Sequence, residues 1–143
     1  MDHPHRVRSV LLHRHHELLV GLVDCADQVA AGWPGDSVSC REAVVGPYRD
    51  CLTARGLLER LPRLVRVGVE AAGATLAAEP VAGPPYVVLT SEGVMLRAST
   101  ESHRLVVSYG VFGIERTDTT HRYRRTADSP AAALEISISC RAS

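Results

Sequence analysis

Two imidazoles one helical turn apart beside a carboxylate form a pattern that can bind zinc, nickel or copper, and His13, His16 and Glu17 have that spacing. On one helix the three fall within about 100° of one another, on the side away from Leu11, Leu18 and Leu22. The order HxxHE differs from the HExxH of zinc hydrolases, and no third ligand is fixed by spacing. The bland reading is a solvated polar face; a metal-binding protein or a metal enzyme is the alternative. His15 lies about 40° from the apolar stripe and reads as a boundary histidine.

A nucleophile needs a thiol or hydroxyl beside a base that a third group orients. Cys25 and Cys140 fall at inward positions of a helix and a strand, and Cys40 and Cys51 lie in helical stretches without a histidine near them in sequence. No CxxC pair, zinc-type spacing, GxSxG, P-loop or GxGxxG occurs. The four cysteines are therefore expected as free thiols, with no cofactor and no catalytic residue assigned. An enzyme is the disfavoured class.

Two stretches suit binding. In His121–Arg125 an aromatic interleaves with arginines, so Tyr123 and Arg124 could stack and pair with a nucleic acid. The plainer expectation is a charged edge strand that resists aggregation. The GPPYVVLTSEGVMLRA stretch carries Pro85 and Tyr86, the Thr90 hydroxyl and an outward Arg97, a surface for a small anion or a partner chain.

These residues need elements to hold them. Over residues 7–31, apolar residues recur at three- and four-residue steps, predicting one amphipathic helix that Gly32, Trp33, Pro34 and Gly35 end. Ser39 and Glu42 have capping-box spacing for a second helix, which Gly46 and Pro47 should kink or restart and Gly56 should stop. A third helix is expected over 57–72, broken at Pro62 and followed by Gly73. The second half alternates instead. Tyr86 to Thr90 and Val94 to Ser99 predict a hairpin with a Glu92–Gly93 loop, and residues 104–116 a long strand bent near Gly110 and Gly113. Closing the next hairpin in two residues sets Ile114 opposite Tyr123 and Glu115 opposite Arg122. Asp128, Ser129 and Pro130 look like a short helix start, and Leu134, Ile136, Ile138 and Cys140 mark the inward side of a last strand.

The 143 residues suit one domain, with a helical layer over about 6–73 and a sheet over about 83–140. Hydrophobic residues make up 45% and the net charge is zero, which supplies a core but no field to draw nucleic acid or an anionic membrane. All sixteen basic residues are Arg, and both Lys and Asn are absent, as a GC-rich coding bias produces. The apolar run Leu18 to Val23 is too short to span a bilayer and lacks a signal-peptide cleavage site. A cytoplasmic location is expected.

The strings CADQVAAGW at Cys25, AVVGPY at Ala43, GLLERLP at Gly56 and PVAGPPYVVLTSEGVMLRA at Pro80 resemble a family of small uncharacterised haloarchaeal proteins. The resemblance runs from about Arg6 to the last strand and implies a haloarchaeal cytoplasm, without an activity to carry over. Proteins adapted to molar salt are usually acidic, whereas this chain is neutral, which favours a partner or self-association. The expected fold is α+β, with N-terminal helices on one face of an antiparallel sheet of four or five strands. The expected role is a non-enzymatic binding or interaction module, acting with a protein partner or as a homodimer, with neither membrane nor nucleic acid as its partner.

Overall fold

The computed structural model describes residues 3–140. The N-terminal stripe is there, but two helices carry it, α1 (His3–Arg14) and α2 (His16–Ala31). The break falls at His15, whose backbone leaves the helical region at φ −124° and ψ 29°. It lets the two apolar stripes face different partners. Val7 and Leu11 of α1 pack toward the last helix of the N-terminal half and the last strand, whereas α2 packs its buried Leu18, Leu22, Cys25 and Val29 toward the next helix.

That next helix, α3 (Glu42–Ala54), follows a two-residue strand, β1 (Ser37–Val38). The expected Ser39–Glu42 capping box is absent, because Arg41 occupies the cap position without a side-chain bond. Glu42 instead accepts from the Cys40 thiol at 2.9 Å, and that bond holds its carboxyl below its ordinary range. Pro47 does not restart the helix, which runs unbroken through it. A proline there removes the amide that would bond the Ala43 carbonyl, and the Trp33 indole donates to that carbonyl instead, at 3.1 Å. Gly56, at φ +70°, ends α3 as expected, with Gly56 N–H bonded to Thr53 O and Leu57 N–H to Leu52 O. The third predicted helix divides into a 3₁₀ turn (Leu58–Arg60) and α4 (Leu61–Ala71), with Pro62 in the first turn of α4, where its missing donor costs little. Gly73, at φ +84°, closes α4 in the same way as Gly56 closes α3.

Antiparallel strands fill the second half, in two sheets rather than one. β2 (Val87–Thr90), β3 (Gly93–Ser99), β4 (His103–Gly110) and β7 (Leu134–Cys140) form a four-stranded sheet in the order β2-β3-β4-β7. β5 (Phe112–Arg116) and β6 (His121–Arg125) pair with β1 in the order β1-β6-β5. The predicted strand over 104–116 thus splits at Val111, between the glycines that weakened it, and its halves serve different sheets. β6 lies in the centre of its sheet, which corrects the edge expected of it. Its register with β5 is the predicted one, Ile114 opposite Tyr123 and Glu115 opposite Arg122.

The first hairpin closes one residue earlier than expected, on Ser91 and Glu92, because Gly93 already pairs with Thr90. Gly93 is irreplaceable on two counts: its φ is +139°, and a Cβ there would stand 2.2 Å from the Tyr109 carbonyl oxygen. A short helix, α5 (Pro130–Ala133), leads into β7 where a helix start was predicted, and the Ser129 hydroxyl caps it.

The inner sheet face (Leu89, Val94, Leu96, Leu105, Val107, Tyr109 and Leu134) joins the helices in one apolar cluster. Helix α4 comes close to β4 because Gly68 has no side chain: a Cβ there would already stand 3.1 Å from Leu105 Cδ2. Two buried phenols tie the layers to α2, Tyr109 donating to Leu19 O at 2.8 Å and Tyr48 to Leu22 O at 3.0 Å. Burial pushes both hydroxyls well above the ordinary tyrosine range. Cys140 corrects its expected inward place: β7 is an edge strand and its last residue is exposed.

Candidate functional site

With helices on one face of the four-stranded sheet, the strand period sends every second side chain to the other face. On β3 these are Met95, Arg97 and Ser99, and on β4 Arg104, Val106 and Ser108. Register decides which of them meet. Ser99 pairs with Arg104, and Arg97 donates its amide to Tyr86 O at 2.8 Å. Arg97 and Arg104 are therefore diagonal cross-strand neighbours, a separation of about 7–8 Å that long side chains bridge.

Around them Pro85, Tyr86, Ala98 and Ser99 complete a cleft of about 420 Å³, within the size range of small-molecule sites. The Pro84–Pro85 peptide is cis and leads into this wall. Among the described residues, neither Arg97 nor Arg104 has a carboxylate partner. The lining offers two guanidinium groups, a phenol and a hydroxyl, with no carboxylate, imidazole or thiol among its residues. Such a set can hold and orient an anion.

Three of the six residues expected to bind, Pro85, Tyr86 and Arg97, come together here. Thr90 does not. It stands at the other end of the same face, accepting from Glu92 N–H at 3.1 Å, and it lines a separate recess of about 330 Å³ with Glu92, Met95, Ser108 and Glu135. The open face is thus basic at one end and acidic at the other.

Tyr123 and Arg124 are in the other sheet. Tyr123 is 7% exposed, so no base can stack on it, and Arg124 pairs with Glu115 at 3.0 Å. Arg122 grips Ser37 Oγ at 2.6 and 2.9 Å. Arg125 bonds Asp27 at 3.0 Å and the carbonyls of Val111 and Ala127. Arg122 and Arg125 are thus tied into the fold, and Arg124 forms an exposed surface ion pair.

His13, at the end of α1, and His16 and Glu17, at the start of α2, are all exposed, and the break at His15 removes the single helix that would have aligned them. Among the described residues, no three His, Cys, Asp or Glu side chains come together to hold a metal ion. His15 is half-buried, as a boundary histidine should be. Burial, with Arg63, Arg14 and Arg60 nearby, holds its pKa below the usual imidazole value. The polar cleft residues that sequence reasoning missed are Ser99 and Arg104. The Glu101–Ser102–His103 turn held the signal, since closing it tightly sets these two opposite each other.

A family model described as "Domain of unknown function (DUF7988)" matches residues 5–139. The chain belongs to this family. No curated protein and no solved structure matches it. Among the described residues, no helix of this family member is long and apolar enough to cross a membrane.

Proposed function

We propose that this chain is a non-enzymatic binding module whose site is the cleft between Tyr86, Arg97 and Arg104, and that its ligand is a small anion with a flat or apolar body. One observation carries the reading: two arginines on adjacent strands, without carboxylate partners, converge on a cleft walled by an aromatic ring and a proline. An anion would relieve the repulsion between the guanidinium groups and accept their paired donors, while Tyr86 and Pro85 would take up its body. In the haloarchaeal cytoplasm that the resemblance implies, molar salt screens bare charge, so geometry and apolar contact must supply much of the affinity.

The test is thermal unfolding at low and at molar salt against inorganic phosphate, organic monophosphates and dicarboxylates. A ligand bound only by the native state raises Tm in a saturable way. One anion class should do so, and the effect should vanish in the Arg97→Ala, Arg104→Ala double variant. If no anion raises Tm, or if the double variant responds like the parent, the cleft is not the site. Light scattering in the same salt series follows the rival occupant, a second copy of the chain or a protein partner. A dimer that anions do not disperse would favour that occupant.

A further inference from the structure

Cys25 and Cys51 are 26 positions apart in sequence, on α2 and α3, yet their sulfurs stand 2.8 Å from each other. That is closer than unbonded sulfurs usually rest, and less than 1 Å beyond the length of an S–S bond, about 2.05 Å. Their surroundings differ. Cys25 is fully buried, whereas Cys51 is half-buried and forms part of the wall of an open, mainly apolar recess of about 460 Å³ that includes Trp33, Pro34 and Pro47. The Gln28 side-chain oxygen accepts from Cys51 at 3.2 Å, and Arg55 places a guanidinium nitrogen 3.8 Å from the Cys25 sulfur. One sulfur is thus accessible, the other is held behind it, and a guanidinium stands beside the buried one.

We propose that Cys25 and Cys51 form a reversible dithiol–disulfide couple that exchanges with small-molecule disulfides admitted through the recess beside Trp33. Cys51 reacts first. Its thiolate, having lost its proton to water, attacks one sulfur of the small disulfide. A mixed disulfide forms on Cys51, and the departing thiolate takes up a proton. The Cys25 sulfur then attacks Cys51 Sγ and breaks the mixed bond, and its proton leaves with the second small thiol. The protein loses two electrons, the small disulfide gains them, and two small thiols are released. The order of events follows from burial, which together with the hydrogen bond from Cys51 pushes the Cys25 thiol up to about 12. Cys25 therefore keeps its proton while Cys51 reacts, and it attacks the mixed disulfide only as it gives that proton up to the departing small thiolate. The resulting bond would clamp α2 to α3 beside the Trp33–Phe112–Tyr48 aromatic cluster.

The experiment treats the full chain with oxidised glutathione at neutral pH, alkylates the remaining thiols and maps peptides by mass. A Cys25–Cys51 cross-link should appear, reverse with dithiothreitol and raise Tm. The fluorescence of Trp33, the single tryptophan, should fall as the disulfide forms beside it. In Cys25→Ser the reaction should stop at a glutathione adduct on Cys51. Should that variant fail to fold, the map of the parent chain decides alone. The exposed Cys40 and Cys140 act as internal controls. If they take glutathione while Cys51 stays free for alkylation, or if the cross-link forms only in denaturant, the proposal is wrong.

Discussion

Arginines of β6 and arginines of the β3–β4 pair have the same chemistry and opposite fates. Arg122, Arg124 and Arg125 are each held by a named partner, and Arg125 is only 14% exposed, with three acceptors around it. Arg97 and Arg104 project from an open face without a carboxylate among the described residues. A guanidinium enclosed by carbonyls serves as a structural tie, whereas one left unpaired at a cleft is available to a ligand. On the more arginine-dense strand each guanidinium already has a partner within the protein, whereas the sparser pair has no carboxylate partner among the described residues.

The largest effect should come from the most enclosed tie. Arg125→Ala removes the bonds to Asp27, Val111 O and Ala127 O, and should cost about 3 kcal/mol in urea unfolding, as losing a buried charged hydrogen-bond network does. A cost below about 0.5 kcal/mol, typical of plain surface sites, would move Arg125 into the class of Arg97 and break the contrast. Arg122→Ala comes next, at about 1–2 kcal/mol. It leaves the Ser37 hydroxyl, 9% exposed, without its partner, and amide exchange at Ser37 and Val38 should quicken as β1 detaches from β6.

A third arginine setting surrounds His15, where burial first and Arg63, Arg14 and Arg60 next lower the imidazole pKa in the folded state. The unfolded chain then binds more protons than the folded one as pH falls below about 6.5. Stability should be fully present above that value and decline as pH drops through the lowered folded pKa, and His15→Gln should flatten the decline. A profile between pH 5 and 7 that His15→Gln leaves unchanged would show that the α1–α2 joint does not sense this proton. The smallest effect is expected at the cleft: Arg97→Ala and Arg104→Ala should each change stability by less than about 0.5 kcal/mol. A larger loss from either would give that arginine a structural partner and remove it from the binding set.

The sequence by itself determined the features that rest on neighbours a few residues away. The inward stripe of α2, the αL stops at Gly56 and Gly73, the Ser129 cap, the alternation of β3 and the register of Tyr123 against Ile114 all follow from local period or from turn length, and both are written in adjacent residues. Where the local rule and the packing disagreed, the packing won. Pro47 stays helical because Trp33 reaches the carbonyl it orphans, and residues 104–116 split because the halves on either side of Val111 find different strands to pair with. The second sheet gains its third strand because β1, two residues from the helical half, docks on β6 through Arg122 and Ser37, a contact across 85 positions that no periodicity announces. The free arginine pair and the thiol pair are of this kind too. Arg97 becomes available only because no carboxylate folds back onto it, and Cys25 meets Cys51 only because α2 and α3 pack side by side. Partners that far apart in sequence are chosen by the burial of whole faces, and that choice is made by tertiary structure alone.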